Sequence, residues 1–251
     1  MDNLNIQLQP KTCVTVCGDI HEHEQQFNDM VDKVNPTESN LLVFVGDIYN
    51  KGFGVQAAER ITDRIRELVE NKVSYIVKGN HEIKSLRNAK KIGSKVSDQL
   101  RWLNEQPLAL SFVFNTGTRL TIVHGGVTPH HTWRDLAGNS ELVYIRTLNE
   151  NGDYIPLKWE TKNGQKVLKS TAKGKPWHEL YDGRFGYIAS GHHAQADGDP
   201  KFYNYSCNLD TACYHTGILT AQKFDERGKV ELIQIKGIAV NSGKMFRYQD
   251  E

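Results

Sequence analysis

The chain has 251 residues, 38% of them hydrophobic, with 31 lysines and arginines against 30 acidic residues and a formal charge of +1. That size and apolar content suit one well-packed domain, and the balanced charge gives no global field directed at nucleic acid or a membrane surface. No window approaches the run of about 18 apolar residues that a membrane helix requires, and four scattered cysteines do not make a disulfide framework, so a cytoplasmic protein with reduced thiols is expected.

The apolar run Cys13–Cys17 reads as a buried strand ending at Gly18, with Cys13 and Cys17 as small packing residues on one face. Residues 24–34 follow with Phe27, Met30, Val31 and Val34 at helical spacing. The unit repeats: residues 41–45 form a second strand ending at Gly46-Asp47, and residues 55–69 carry Ala58, Ile61, Ile65 and Leu68 on one helical stripe. A third strand over residues 73–77 ends at Gly79-Asn80. Such repeats predict a parallel, buried sheet whose ligands collect at the carboxyl ends of strands. A helix over residues 98–104, stopped by Pro107, leads to strands over 108–114 and 120–123. Residues 127–185 are polar, rich in Gly and Lys and poorly periodic, apart from a short helix expected at 142–148. This stretch reads as an insertion that covers the site like a lid. Strand texture returns at 186–190, 203–209, 217–224 and 230–235, the last two joined through Asp225-Glu226-Arg227-Gly228. The layout predicts a single α/β domain with mixed sheets over residues 1–251, a β-sandwich flanked by helices, with the insertion at about 127–185.

Side chains of metal-binding type follow these strands in series: Asp19 and His21 in Gly18-Asp19-Ile20-His21, Asp47 after Gly46, Asn80 in Gly79-Asn80-His81-Glu82, His124 before Gly125-Gly126, and His192 after Gly191. Each piece alone is an ordinary turn or a buried structural histidine. Their common position after strands makes a shared metal site the stronger reading. Mixed carboxylate, imidazole and amide donors suit Mn, Fe, Zn or Ni better than Ca or Mg alone. Asp47 falls between the early pair and the later set, and its two oxygens can bridge two ions. Such a pair can hold a hydroxide in line with phosphorus, so no protein nucleophile is required.

These motifs resemble those of the calcineurin-like metallophosphoesterases, in particular the branch with phage and bacterial serine/threonine protein phosphatases and symmetrical diadenosine tetraphosphatases. The likeness runs from Val14 to about Phe224, and Asn208–Cys213 followed by Gly217–Ala221 is similar to tetraphosphatase members. It implies the metallophosphoesterase fold and a hydrolase of phosphomonoesters or nucleotide phosphoanhydrides with two divalent metal ions, manganese first among the candidates. One ion would be held by Asp19, His21 and Asp47, the other by Asp47, Asn80, His124 and His192. The resemblance also implies that His81 protonates the leaving oxygen as general acid. Lys51 and Lys78 stand where phosphate-gripping arginines occur, and Arg146 is a candidate phosphate anchor or a helix-face charge. The expected partner is a phosphorylated substrate: a phosphoprotein, a nucleotide or an oligonucleotide end.

Two positions depart from the family pattern. Asn50 replaces a carboxylate that would pair with His81, and Glu22 occupies a usual glycine position, where it is expected to narrow access beside the first metal or repel acidic substrates. They keep open a degenerate member that binds a nucleotide or partner without turnover. A two-metal phosphodiesterase acting on nucleic acid is a third reading, although neutral charge offers no extended nucleic-acid surface. His23 and His193 read as rim or structural residues, and Asp210 as a turn residue or one behind the ligands. The aromatic and basic residues Trp133-Arg134, Trp159, Lys173 to Trp177 and Tyr181 would stack a base or, more simply, pack the core and lid.

Overall fold

The computed structural model of the chain describes residues 5–156 and 174–240, and the backbone of a hairpin between them. In chain order the strands are β1 (Asn5–Gln7), β2 (Cys13–Cys17), β3 (Asn40–Phe44), β4 (Ser74–Ile76), β5 (Ala109–Val113), β6 (Arg119–Val123), β7 (Thr147–Leu148), β8 (Trp159–Lys162), β9 (Gln165–Leu168), β10 (Lys175–Pro176), β11 (Tyr187–Ser190), β12 (Lys201–Phe202), β13 (Ser206–Asn208), β14 (Ile218–Asp225) and β15 (Gly228–Lys236). The helices are α1 (Glu24–Val34), α2 (Val55–Glu70), α3 (Asn80–Lys91), α4 (Asp98–Glu105), α5 (Trp133–Gly138), α6 (Trp177–Leu180) and α7 (Cys213–Thr216). Among the described residues no helix is long and apolar enough to cross a membrane.

Two mixed sheets form a sandwich. One has the order β15-β14-β2-β3-β4, the other β1-β5-β6-β11-β13-β12. Strands β2, β3 and β4 pair in parallel, as crossover helices α1 and α2 require, whereas the hairpin β14–β15 joins β2 antiparallel. In the second sheet β6, β11 and β13 are parallel, β5 is antiparallel to β6 and parallel to β1, and β12 is antiparallel to β13. The parallel pairing expected of the first three strands is present, within the mixed sheet that the layout predicts. The far C-terminal hairpin completes it, and no local pattern reports that pairing.

Successive strand residues face opposite ways, so β2 and β3 serve two cores. Val14, Val16, Leu41 and Val43 meet Leu110, Phe112, Leu120 and Ile122 between the sheets. Leu42, Phe44 and Ala221 point outward and are covered by Phe27 and Met30 of α1, Ile61 and Ile65 of α2, and Leu100 and Leu103 of α4. Each such buried side chain contributes about 1.5–3 kcal/mol, which is what docks these amphipathic helices. Outside the second sheet, Ala109, Val123 and Ile188 are covered by Leu136, Leu142, Ile145, Trp177 and Phe185.

Three local expectations are corrected. The helix expected at residues 142–148 is a 3-10 turn at Ser140–Val143 followed by β7. The strand expected at 203–209 is the short pair β12 and β13 with a turn between them. Helix α3 was not foreseen, because its sequence NHEIKSLRNAKK has hardly any apolar stripe and buries only His81 and Glu82.

Candidate metal centre

The chain leaves the sandwich after β2, β3, β4, β6, β11 and β13, and delivers Asp19, Asp47, Asn80, His124, His192 and Asp210 within a few residues. Strand ends of one sheet meet those of the other here: the His192 amide donates to Asp19 Oδ1 at 3.0 Å, and the Gly191 amide to the His124 carbonyl at 2.9 Å. Crowding explains the glycines. A Cβ on Gly191 would lie 2.0 Å from Asp19 Oδ1, and one on Gly79 would lie 2.2 Å from Asp47 Oδ1. His21, Asp47 and His192 themselves hold positive φ, a cost that surrounding hydrogen bonds must offset.

Asp47 is central. Its Oδ2 lies 3.7 Å from His21 Nε2 and 3.9 Å from His81 Nε2, while Oδ1 lies 3.3 Å from His124 Nε2. Asp19 Oδ2 stands 3.7 Å from His21 Nε2, and Asn80 Oδ1 stands 3.0 Å from His124 Nε2. Donor atoms of His21, Asp47 and His81 lie within 4.8 Å of one another, as do those of Asp47, His124 and His192. An ion with bonds of about 2.1 Å in tetrahedral geometry sets its donors about 3.4 Å apart, close to these spacings. The rings are also aimed. His21 Nδ1 donates to the Tyr49 carbonyl (3.3 Å) and His124 Nδ1 to the Val45 carbonyl (2.8 Å), which turns each Nε2 into the cluster.

A family model described as calcineurin-like phosphoesterase matches residues 14–226. The chain belongs to the calcineurin-like phosphoesterases. It is thus a hydrolase of phosphate esters and anhydrides from a family that works with divalent metals. Among curated relatives are asymmetrical bis(5'-nucleosyl)-tetraphosphatases. The one from Halalkalibacterium halodurans is 24% identical over 254 aligned positions, covering 88% of this chain and 92% of that protein. One from Bacillus cereus is 25% identical over 242 positions, with 84% and 90% coverage. A solved structure provisionally named a diadenosine tetraphosphatase has a TM-score of 0.68 at 23% identity, covering 93% of this chain and 98% of the other. A protein serine/threonine phosphatase from Saccharomyces cerevisiae gives 0.60 at 13% identity over 93% and 84%. These two structures share the fold.

The donors of this phosphoesterase fit divalent ions chemically as well as in spacing. His192 Nε2 is buried with no hydrogen-bond partner, a costly state for a polar atom and a natural one for a ligand. Burial would raise the Asp47 carboxyl, but His124, His81 and His21 together hold it well below the usual carboxylate range. Burial works against the charged His124 as well, and Asp47, Asp19 and Glu82 outweigh it, lifting the ring to about 9. His21 and His192 are held well below the usual imidazole value, by burial first and then by Lys51 and Arg146 respectively. Asp19 is pushed up by burial and by Asp210 beside it, an environment in which a positive ion would stabilise the carboxylate.

Three further buried carboxylates lie around these donors. Glu82 accepts the amides of Asp47, Ile48, Tyr49 and Gly79 at 2.8–3.2 Å. It stands in the same Gly79-Asn80-His81-Glu82 run as two of the expected site residues, and that adjacency was the available signal. Asp210 is buried, with Oδ2 unpartnered, and lies against Asp19. Glu22 is the correction: it is 6% exposed and turned into the backbone of residues 50–54, so it neither narrows the entrance nor presents charge to substrate.

The expected phosphate contacts divide. Lys51 Nζ lies 3.0 Å from His21 Nε2 and 4.5 Å from the Tyr214 ring centroid. Arg146 donates from Nε and Nη2 to the His192 carbonyl at 3.2 and 3.0 Å, at the border of the cluster. Lys78 is engaged elsewhere, its Nζ donating at 2.6 Å to the Asn104 carbonyl in the last turn of α4. Asn50 does not replace the lost carboxylate beside His81, because its amide donates to Ser85 Oγ at 2.7 Å. His81 Nδ1 is left without a partner, and burial brings the ring down to about 4. Trp177 and Tyr181 pack in the core outside the second sheet, and Trp133 sits against Phe185; the side chains of Trp159 and Lys173 lie outside the described residues.

Proposed function

We propose that this phosphoesterase binds two divalent ions, manganese first, and hydrolyses nucleotide phosphoanhydrides of the dinucleoside polyphosphate class as well as activated phosphomonoesters. Asp19, His21 and Asp47 hold one ion, and Asp47, Asn80, His124 and His192 the other. The observation that carries this reading is the Asp47 carboxylate, with one oxygen toward His21 and the other toward His124. When bound, the ions supply an activated water and neutralise the phosphoryl oxygens.

The chain's own residues orient and protonate. Lys51 and Arg146 flank the two donor groups: Lys51 meets the phosphoryl oxygens as a point charge, and Arg146, whose Nε and Nη2 donate to the His192 carbonyl, adds positive charge at the border. Lys78 is not part of this set, since its ammonium already serves α4. His81 delivers a proton to the leaving oxygen from the Asp47 side. With Asn50 turned to Ser85, burial outweighs the Asp47 carboxylate beside His81, so the ring is seldom charged and rarely has a proton to give. A phosphate leaving group needs less proton transfer than an alkoxide, which favours anhydrides over alkyl esters. The names of the curated relatives support the same class.

The described parts of the segment 127–185, residues 127–156 and 174–185, form the substrate-covering side of a single domain; the reach of Arg146 to His192 supports this. Free Cys13, Cys17, Cys207 and Cys213 and a nucleotide substrate suit the cytoplasm. The test is product release by metal-stripped protein, with and without manganese, from diadenosine tetraphosphate and an aryl phosphate. Manganese-dependent cleavage is expected, with Asp47→Asn inactive. Release of ADP alone marks symmetrical cleavage, and ATP with AMP asymmetrical. No turnover of either substrate with Mn, Fe, Zn or Ni, although two ions bind, would overturn the proposal.

A further inference from the structure

We infer that Glu22 is a positioning residue: through the loop at residues 50–54 it holds Lys51 where a substrate phosphate must meet it. The inference rests on the reading of Lys51 as a phosphate contact. Glu22 Oε1 accepts the Asn50 amide at 2.6 Å, and Oε2 accepts those of Gly52 and Gly54 at 3.0 Å each. Lys51 sits in the middle of this grip, its own amide being one that the carboxylate skips.

The loop would not keep this shape unaided. Asn50 and Lys51 both hold left-handed φ, 71° and 74°, which side-chain-bearing residues adopt at a cost. Charge-assisted hydrogen bonds from a buried carboxylate are about twice as strong as neutral ones and offset that cost. The loop is also pressed onto the ligand strand: a Cβ on Gly52 would lie 1.9 Å from the His21 carbonyl oxygen. In return the Glu22 amide donates to the Ile48 carbonyl at 2.8 Å, and the His21 amide to the Asp47 carbonyl at 2.9 Å. His21, Glu22 and Lys51 are therefore one rigid unit, and the lysine ammonium emerges 3.0 Å from His21 Nε2. Lysine has a flexible stem and no fork, so its backbone must supply the placement that an arginine's planar head would supply itself.

The experiment is a double-mutant cycle on manganese-loaded protein, with Glu22→Gln, Lys51→Ala and both together. It is read by calorimetric binding of inorganic phosphate and by steady-state kinetics. Each single variant is expected to weaken phosphate binding about tenfold, with the double no weaker than Lys51→Ala, because the two act as one. KM should rise by more than kcat falls, and any loss of manganese affinity should be smaller than the loss of phosphate affinity. If the two losses multiply in the double variant, or if Glu22→Gln leaves phosphate affinity unchanged, the inference is wrong. It is equally wrong if Lys51→Ala binds phosphate like the parent. Should Glu22→Gln fail to fold, Glu22→Asp keeps the charge with a shorter reach, and its loss of phosphate affinity must likewise vanish in the Lys51→Ala background. A protein that binds phosphate through Lys51 but turns over no ester or anhydride would sink the proposed function while leaving the Glu22–Lys51 coupling standing.

Discussion

Glu82 and Glu22 divide between them the backbone of the loop that follows β3. Glu82 takes the amides of Asp47, Ile48 and Tyr49, and Glu22 takes those of Asn50, Gly52 and Gly54. A segment without regular hydrogen bonding is thereby held by two buried anions, and Asp47, the carboxylate between the two donor groups, is fixed at its head. Preorganised ligands lose little freedom when an ion arrives, which is how an irregular loop can serve a precise site.

Glu82→Gln should therefore cost more than a surface change. The amide NH₂ that replaces one oxygen would face backbone N–H groups, leaving buried donors unpaired at a cost of about 1–3 kcal/mol. Thermal unfolding should fall by several degrees, and manganese affinity by about 10–100-fold as Asp47 loosens. Melting and metal-binding curves that match the parent would show that the brace is dispensable.

Asp47→Asn tests the bridge. Metal content by mass spectrometry should drop from two ions to one or none, and kcat/KM by about 10³ or more, equivalent to about 4 kcal/mol of transition-state stabilisation. Because Asp47 Oδ1 also accepts the His81 amide at 2.9 Å, the asparagine keeps that acceptor and the fold should survive. Two tightly bound ions in the variant would reject the bridging role.

His81→Asn should discriminate between leaving groups. An aryl phosphate leaves with little help, so its rate should fall by about tenfold or less. An alkyl phosphate needs the proton, and its already low rate should fall by about 10²–10⁴. Asn50→Asp, which returns a carboxylate near His81, should raise the alkyl rate relative to the aryl. Equal losses on both substrates in His81→Asn would argue that His81 serves as a metal ligand, as its place in one donor group permits.

His178 predicts acid sensitivity away from the metal centre. It is buried between Trp177 and Tyr203, with ring centroids 3.9 and 4.4 Å away, and Nε2 has no partner. Burial, and secondarily His193, holds its pKa well below 6.5. As pH falls through about 6.5 the unfolded chain takes up a proton that the folded one refuses, so stability is complete above that pH and lost below it. The slope for one such group approaches about 1.4 kcal/mol per pH unit. Urea midpoints at pH 7.5 and 5 should fall less steeply for His178→Gln than for the parent, and identical pH slopes would remove His178 as the cause.

What could be read from residue order was the set of strand ends and the candidate metal donors that follow them. Gly18-Asp19, Gly46-Asp47, Gly79-Asn80, His124 and His192 follow apolar runs directly, and only the carboxyl ends of adjacent strands can bring such residues together. Helix α3 escaped notice because its two buried residues, His81 and Glu82, are polar, and hydrophobic period carries no signal for a helix anchored by hydrogen bonds.

The sequence by itself determined the family, the order of the candidate donors after the strands and the chemistry they suit, because residue type and position after a strand are local properties. Tertiary structure alone decided which of two similar lysines reaches the cluster: Lys78 ends on the Asn104 carbonyl, and Lys51 beside His21. It also decided that Glu22 faces inward. A carboxylate that binds backbone amides some thirty residues away leaves no mark on the composition of either segment, since every residue except proline offers the same N–H.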